Sequence, residues 1–109
     1  MELVKSVYAL VCLWPTDEKF ALTLQMRRAA TSIPLNIAEG QGRSSSKAFF
    51  NHLDIAFGSL CEVETVALIG LQQGYHSESE MATTLSLCGE VARLIKGLQK
   101  SIAGREEKN

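Results

Sequence analysis

Apolar residues recur along this chain at helical intervals, and the breaks in that recurrence divide it into four segments. The first runs from about Glu2 to Leu13, with Leu3, Val4, Val7, Leu10 and Val11 on one face. Trp14-Pro15 ends it, because the residue before a proline is pushed out of helical geometry. Thr16 is placed to cap a second helix, with Asp17 and Glu18 in its first turn, where the helix dipole favours acids. That helix extends to about Gly40 and carries Leu22, Met26, Ala29, Ile33 and Ile37 at steps of 4, 3, 4 and 4. Pro34 lies inside it and leaves the Ala30 carbonyl without its partner, so a kink is expected there.

Gly40-Gln41-Gly42 is the clearest break, and Ser44, Ser45 and Ser46 offer caps for a third helix. Phe49, Leu53, Ala56, Leu60, Val63 and Ala67 follow at steps of 4, 3, 4, 3 and 4, a regular heptad seam. Gly70 weakens the end of this helix and Gly74 suits its C-cap. Ser77-Glu78-Ser79-Glu80 reads as a capping box opening a fourth helix. There Leu85, Cys88, Ala92 and Ile95 form one seam, and Leu87, Val91, Leu94 and Leu98 a second. Residues 104–109 read as a disordered polar tail beyond a single domain over residues 1–103.

Strand signals are almost absent, and short connections favour antiparallel neighbours. The expected fold class is therefore all-α, an antiparallel up-down-up-down four-helix bundle. Phe50, Ile55, Phe57, Val66 and Ile69 lie outside the main seam of the third helix. A chain of 109 residues has too little interior to hide two faces of a helix, so this surplus predicts a second apolar face used between copies.

Charge narrows the function classes. Lys plus Arg number 11 and Asp plus Glu 12, for a net charge of −1, which excludes binding of polyanions by bulk charge. Any nucleic-acid contact needs a local patch. Arg27, Arg28, Arg43 and Lys47 crowd the approach to the second and third helices, near a helix N-terminus of the kind that binds phosphate.

A polar series, Gln25, Arg28, Ser32, Asn36, Glu39 and Arg43, follows at steps of 3, 4, 4, 3 and 4 along the second helix. A shorter one, Asn51, Asp54, Glu62 and Thr65, lies on the third. Three readings fit the longer stripe. It can be a solvated face, a ligand site, or a buried network in which Arg28 or Arg43 pairs Glu39 or Glu62.

Chemistry is otherwise sparse. The cysteines, Cys12, Cys61 and Cys88, are widely spaced and odd in number, which fits buried hydrophobes in a reducing compartment. His76 is expected in a solvated loop, and His52 lacks a metal partner at ligand spacing. The Glu-x-x-His pattern of di-iron bundles is missing, and so is a phosphate loop. No enzyme, metal or cofactor is expected. The apolar run before Trp14 lacks a cleavage site, and no stretch reaches the about 18 apolar residues of a membrane span. A cytoplasmic location is expected.

The run Gln25-Met26-Arg27-Arg28-Ala29-Ala30-Thr31-Ser32-Ile33-Pro34-Leu35-Asn36-Ile37-Ala38-Glu39-Gly40, followed by Gln41-Gly42-Arg43, resembles the signature of a bacterial four-helix bundle protein family. That family includes the protein encoded in intervening sequences of large-subunit ribosomal RNA and the accessory variability protein of diversity-generating retroelements. Phe50, Leu53, Ile55-Ala56, Gly58-Ser59-Leu60, Glu62, Glu64-Thr65 and Gly74-Tyr75 extend the resemblance. It implies a homopentamer with a central channel, which binds RNA or a nucleic-acid-handling protein such as a reverse transcriptase. Carried over by position, Arg27, Arg28, Arg43 and Lys47 become candidate contacts. Gln25, Ser32, Asn36, Glu39 and Glu62 become a structural polar motif. The alternative is a homo-oligomeric interaction scaffold with no affinity for nucleic acid.

Overall fold

The first helix, α1 (Glu2–Val11), buries Leu3, Val7, Leu10 and Val11, the face its periodicity predicts. The structure, a computed structural model, describes residues 1–18 and 21–108, with side chains for all of these except residues 18 and 106–108. After α1 the amides of Leu13 and Trp14 donate to the Leu10 and Val11 carbonyls, both at 3.1 Å. This tight turn delivers Trp14 into the core. Thr16–Glu18 then form one 3₁₀ turn, and α2 begins only at Leu22. The expected start at Thr16 is thus corrected. Those residues have no apolar face to bury, and helical turns gain most of their stability from such packing. Lys19 and Phe20, which that expectation also covered, lie outside the described residues.

α2 (Leu22–Gln41) runs unbroken through Pro34. Ala30 and Ile33, beside the lost backbone bond, are both fully buried, and their packing holds the helix through it. α3 (Ser46–Gln72) opens on Ser45, whose Oγ accepts from the Ala48 amide at 3.1 Å. It closes with the Tyr75 amide donating to the Gly70 carbonyl at 2.9 Å and the Gly74 amide to Leu71 at 3.0 Å. Gly74 sits at φ 76°, where glycine carries no Cβ penalty. Ser77 and Glu80 exchange the two bonds of a capping box, and α4 (Glu78–Lys108) follows. The polar segment expected as a tail coincides with the last turn of α4, and Asn109 lies outside the described residues.

The protein is all-α, with four α-helices and, among the described residues, no strand. α1 and α3 each pack on both α2 and α4, and the α2–α3 interface is the most extensive. The particle measures 52 × 24 × 19 Å. Val7, Met26, Ile33, Leu53, Leu60, Val63, Cys88 and Ile95 meet at its centre with no exposure. Each large aliphatic side chain among them contributes about 1.5–3 kcal/mol by leaving water. On the other side, Leu35, Ile55 and Leu94 are more than half exposed. Ile69 is also exposed, Phe50 and Phe57 are half-buried, and Val66 is buried. Val66 therefore belongs to the core, not to an outer face.

His76 is also corrected, because it is 5% exposed rather than solvated. Trp14 Nε1 donates to its Nδ1 at 3.0 Å, and its Nε2 donates to the Ala67 carbonyl at 2.9 Å. The room comes from Gly70: a Cβ there would stand 2.6 Å from His76 Cε1 and 3.1 Å from Trp14 Cζ2. A second polar tie, Ser6 Oγ to Thr84 Oγ1 at 2.7 Å, joins α1 to α4.

Burial, and then the Glu64 carboxylate, push the Cys88 thiol up to about 12. Only the thiolate is a competent nucleophile. Alkylation at mildly alkaline pH should label the exposed Cys12 and Cys61 and spare Cys88 until denaturant is added, as read by mass spectrometry.

Candidate functional site

Two sets of residues need placing: the polar stripe of α2 and the four cations near it. At 100° per residue a stripe with steps of three and four drifts slowly around its helix. Part of the α2 stripe therefore faces α3 and part turns outward.

The inward part forms one separate pair and one chain of bonds between α2 and α3. Gln25 Nε2 donates to Glu62 Oε1 at 2.9 Å. Ser59 Oγ donates to Ser32 Oγ at 2.9 Å. Asn36 Nδ2 donates to Ser32 Oγ at 3.0 Å and to the Ser32 carbonyl at 2.9 Å. Its Oδ1 accepts from His52 Nδ1 at 3.1 Å, and Glu39 Oε2 lies 3.9 Å from the same nitrogen. Each member is half-buried or exposed, so these bonds set register more than they add stability.

Register also depends on small side chains. Gly40 is buried, and a Cβ on it would lie 2.7 Å from Phe49 Cδ1 and 2.9 Å from His52 Cβ. Ala29 and Ala56 are buried on the facing sides of the two helices. This close approach brings the short side chains of Ser32 and Ser59 within bonding distance.

The arginines do not join the network. Glu62 accepts from Gln25, and Glu39 lies 3.9 Å from His52 with neither arginine in ion-pair range, so the expected pairing of Arg28 or Arg43 with either acid is corrected. Arg28 is exposed on the rim of an open cleft of about 450 Å³, with Gln25, Ser32, Ser59 and Glu62 in its wall. Arg27 points the other way, toward α1. Its guanidinium lies 5.4 Å from the centre of the Tyr8 ring, a cation–π contact. Its Nε is buried with no hydrogen-bond partner among the described residues.

Arg43 and Lys47 are exposed at the far end, on the α2–α3 connection and the first turn of α3. At 1.5 Å per residue, about 22 Å of helix separates Arg28 from Arg43. The four cations thus make two groups. Among the described residues, none of Arg28, Arg43 and Lys47 makes an ion pair or a hydrogen bond through its side chain.

His52 and Ser59 are the network members that spacing along α2 does not reveal. They sit on α3, and no local interval connects them to Ser32 or Asn36. Among the described residues no group of three or more His, Cys, Asp or Glu side chains is placed to hold a metal ion. No described helix is long and apolar enough to cross a membrane.

The family described as 23S rRNA-intervening sequence protein matches residues 1–97. No curated protein matches the chain.

The geometry separates packing residues from free ones. Gly40→Ala should cost about 1–3 kcal/mol by overpacking. Asn36→Ala should cost about 1–2 kcal/mol, since His52 Nδ1 and Ser32 lose their partner. Arg28→Ala should stay within about 0.5 kcal/mol of the parent. Urea midpoints of the three variants check this ordering.

Proposed function

The chain belongs to the 23S rRNA-intervening sequence protein family, and from that premise we propose that it is a non-catalytic, oligomeric adaptor that binds RNA through exposed arginine and lysine side chains. Its four helices form an up-down-up-down bundle. Gln25 meets Glu62 and Asn36 meets His52 along α2 and α3, and Gln99 meets Asp54 along α3 and α4. These crossed numbers support antiparallel neighbours. Copies of the bundle assemble through outer apolar positions such as Leu35, Ile55 and Leu94, and five is the number the family resemblance implies.

The observation that carries the RNA reading is the state of the cations. Arg28, Arg43 and Lys47 are exposed and unpaired among the described residues, so their charge is available to phosphate oxygens. Arg27 contributes less, since Tyr8 already covers its guanidinium. No described side-chain cluster supports catalysis, and no metal or cofactor enters the reading. A scaffold without nucleic-acid affinity is the second reading, favoured by the net charge of −1.

A labelled RNA hairpin should be retarded in a native gel at low salt, with affinity falling steeply as salt rises, because phosphate contacts release counterions. Arg43→Glu combined with Lys47→Glu should weaken it at least tenfold. No retardation at low salt would leave the scaffold reading in place. Light scattering should give a multiple of the chain mass, and a monomer would overturn the assembly.

A further inference from the structure

The sequence scatters its cations over all four helices, but the fold sorts them by sign along its long axis. In the half built from residues 39–57 and 90–105, Arg43, Lys47, Arg93, Lys96, Lys100 and Arg105 face only Glu39, Asp54 and Glu90 as described carboxylates. In the other half, Lys5, Arg27 and Arg28 face Glu2, Asp17, Glu62, Glu64, Glu78 and Glu80. Counted over the described side chains, the nearly neutral chain carries more cations than carboxylates in this half and the reverse in the other, with Glu106 and Glu107 following Arg105 in the sequence.

Three contacts bring the α4 cations to that end. Gln99 Nε2 donates to Asp54 Oδ1 at 2.7 Å and to the Phe50 carbonyl at 3.4 Å. Ile102, 2% exposed, lines a cleft with Ser46, Lys47 and Phe50. Lys96 Nζ stands 4.0 Å from the centre of the Phe57 ring. Together they lay the last turns of α4 along the first turns of α3. Lys96 and Lys100 are four residues apart and share an edge of α4, and Lys47 lies on the first turn of α3. Lys96, Lys100 and Arg105 are exposed, and none forms an ion pair among the described residues.

Two of the three described acids at this end have neighbours of their own, and Glu90 is exposed. Asp54 accepts from Gln99, and Glu39 sits beside His52. The N-terminus of α3 lies at this end beside the C-termini of α2 and α4, whose dipoles oppose it, so the positive charge here comes from side chains. Ser45 caps the Ala48 amide, while the Ser46 and Lys47 amides make no hydrogen bond among the described residues.

We propose that the phosphate-contacting surface is this end of the bundle, where Lys100 and Arg105 of α4 join Arg43 and Lys47 while Lys96, held over Phe57, contributes less, and that its partner is the phosphate backbone of a folded RNA. Arg28, though unpaired, stands about 22 Å of helix from Arg43 and is a separate contact outside this surface, and Arg27 is held against Tyr8. This inference rests on the RNA reading above and deepens it. The α4 cations contribute as much as the two that sequence position alone brings to the α2–α3 connection. Unpaired cations on two neighbouring helices suit a phosphate backbone, which presents charge continuously along a strand and makes contacts independent of base sequence.

The test uses Lys100→Gln combined with Arg105→Gln in the full chain, both at exposed positions. Binding of a fluorescent RNA hairpin is followed by anisotropy across a salt series, beside Lys5→Gln as the control from the acidic end. The expected result is at least tenfold weaker binding and a salt slope shallower by about two, with Lys5→Gln unchanged. Unchanged affinity and slope in the α4 variant, with loss in the Arg43 and Lys47 variant, would overturn the α4 surface and spare the RNA reading. No binding by the parent protein at low salt would overturn both. Displacement of the hairpin by polyglutamate as readily as by unlabelled hairpin at equal charge would overturn RNA as the occupant. Circular dichroism of each variant should match the parent, so that a loss of binding is read as lost contact.

Discussion

The close approach of α2 and α3 is the constraint on which the rest of this structure depends. It exists because the facing positions are small. Gly40 has no room for a Cβ against Phe49 and His52, and Ala29 and Ala56 let the backbones come together. Once the helices are that close, short side chains can reach each other, and Ser32 bonds Ser59 directly. The network from Gln25 to Glu39 then fixes the relative slide of the two helices. A slide of one turn would separate Asn36 from His52 and drive Phe49 away from Gly40. α1 and α4 complete the core around this pair, tied at the opposite end by Trp14 and His76.

Fixing that slide has an electrostatic consequence. The connection between α2 and α3 is short, so the position of α3 determines which end of the bundle carries Arg43 and Lys47. α4 then returns along α3, pinned by Gln99 and Ile102, and brings its own cations to the same end. Packing residues and the polar ties between helices thereby set the charge distribution of the surface. A net charge of −1 averages over two ends of opposite sign and says little about either.

Much of the fold was legible in the residue order. The heptad seam from Leu53 to Ala67 is buried, the Ser77–Glu80 capping box forms both its bonds, and Gly74 takes positive φ. The misreadings share a cause. His76 looked solvated because it follows a glycine turn, yet Trp14, 62 residues away, accounts for its burial. Val66 looked surplus because it lies off the main seam, yet it is buried within the core cluster. The arginines looked like partners for Glu39 and Glu62 because they share a stripe, but Gln25 bonds Glu62, Glu39 lies 3.9 Å from His52 Nδ1, and neither arginine reaches them.

By itself, then, the sequence determined the four helices, the caps at Ser45, Gly74 and Ser77, and the main buried seams of α1 and α3, since these rest on interactions three to five residues apart. The family signature across α2 was readable in the same way, as a contiguous run. Only the tertiary structure decided which polar residues bond to one another, which histidine is buried and where the cations collect. Those outcomes depend on pairs dozens of residues apart, and the slide between helices that brings them together is set by side-chain volume across an interface, which no local spacing records.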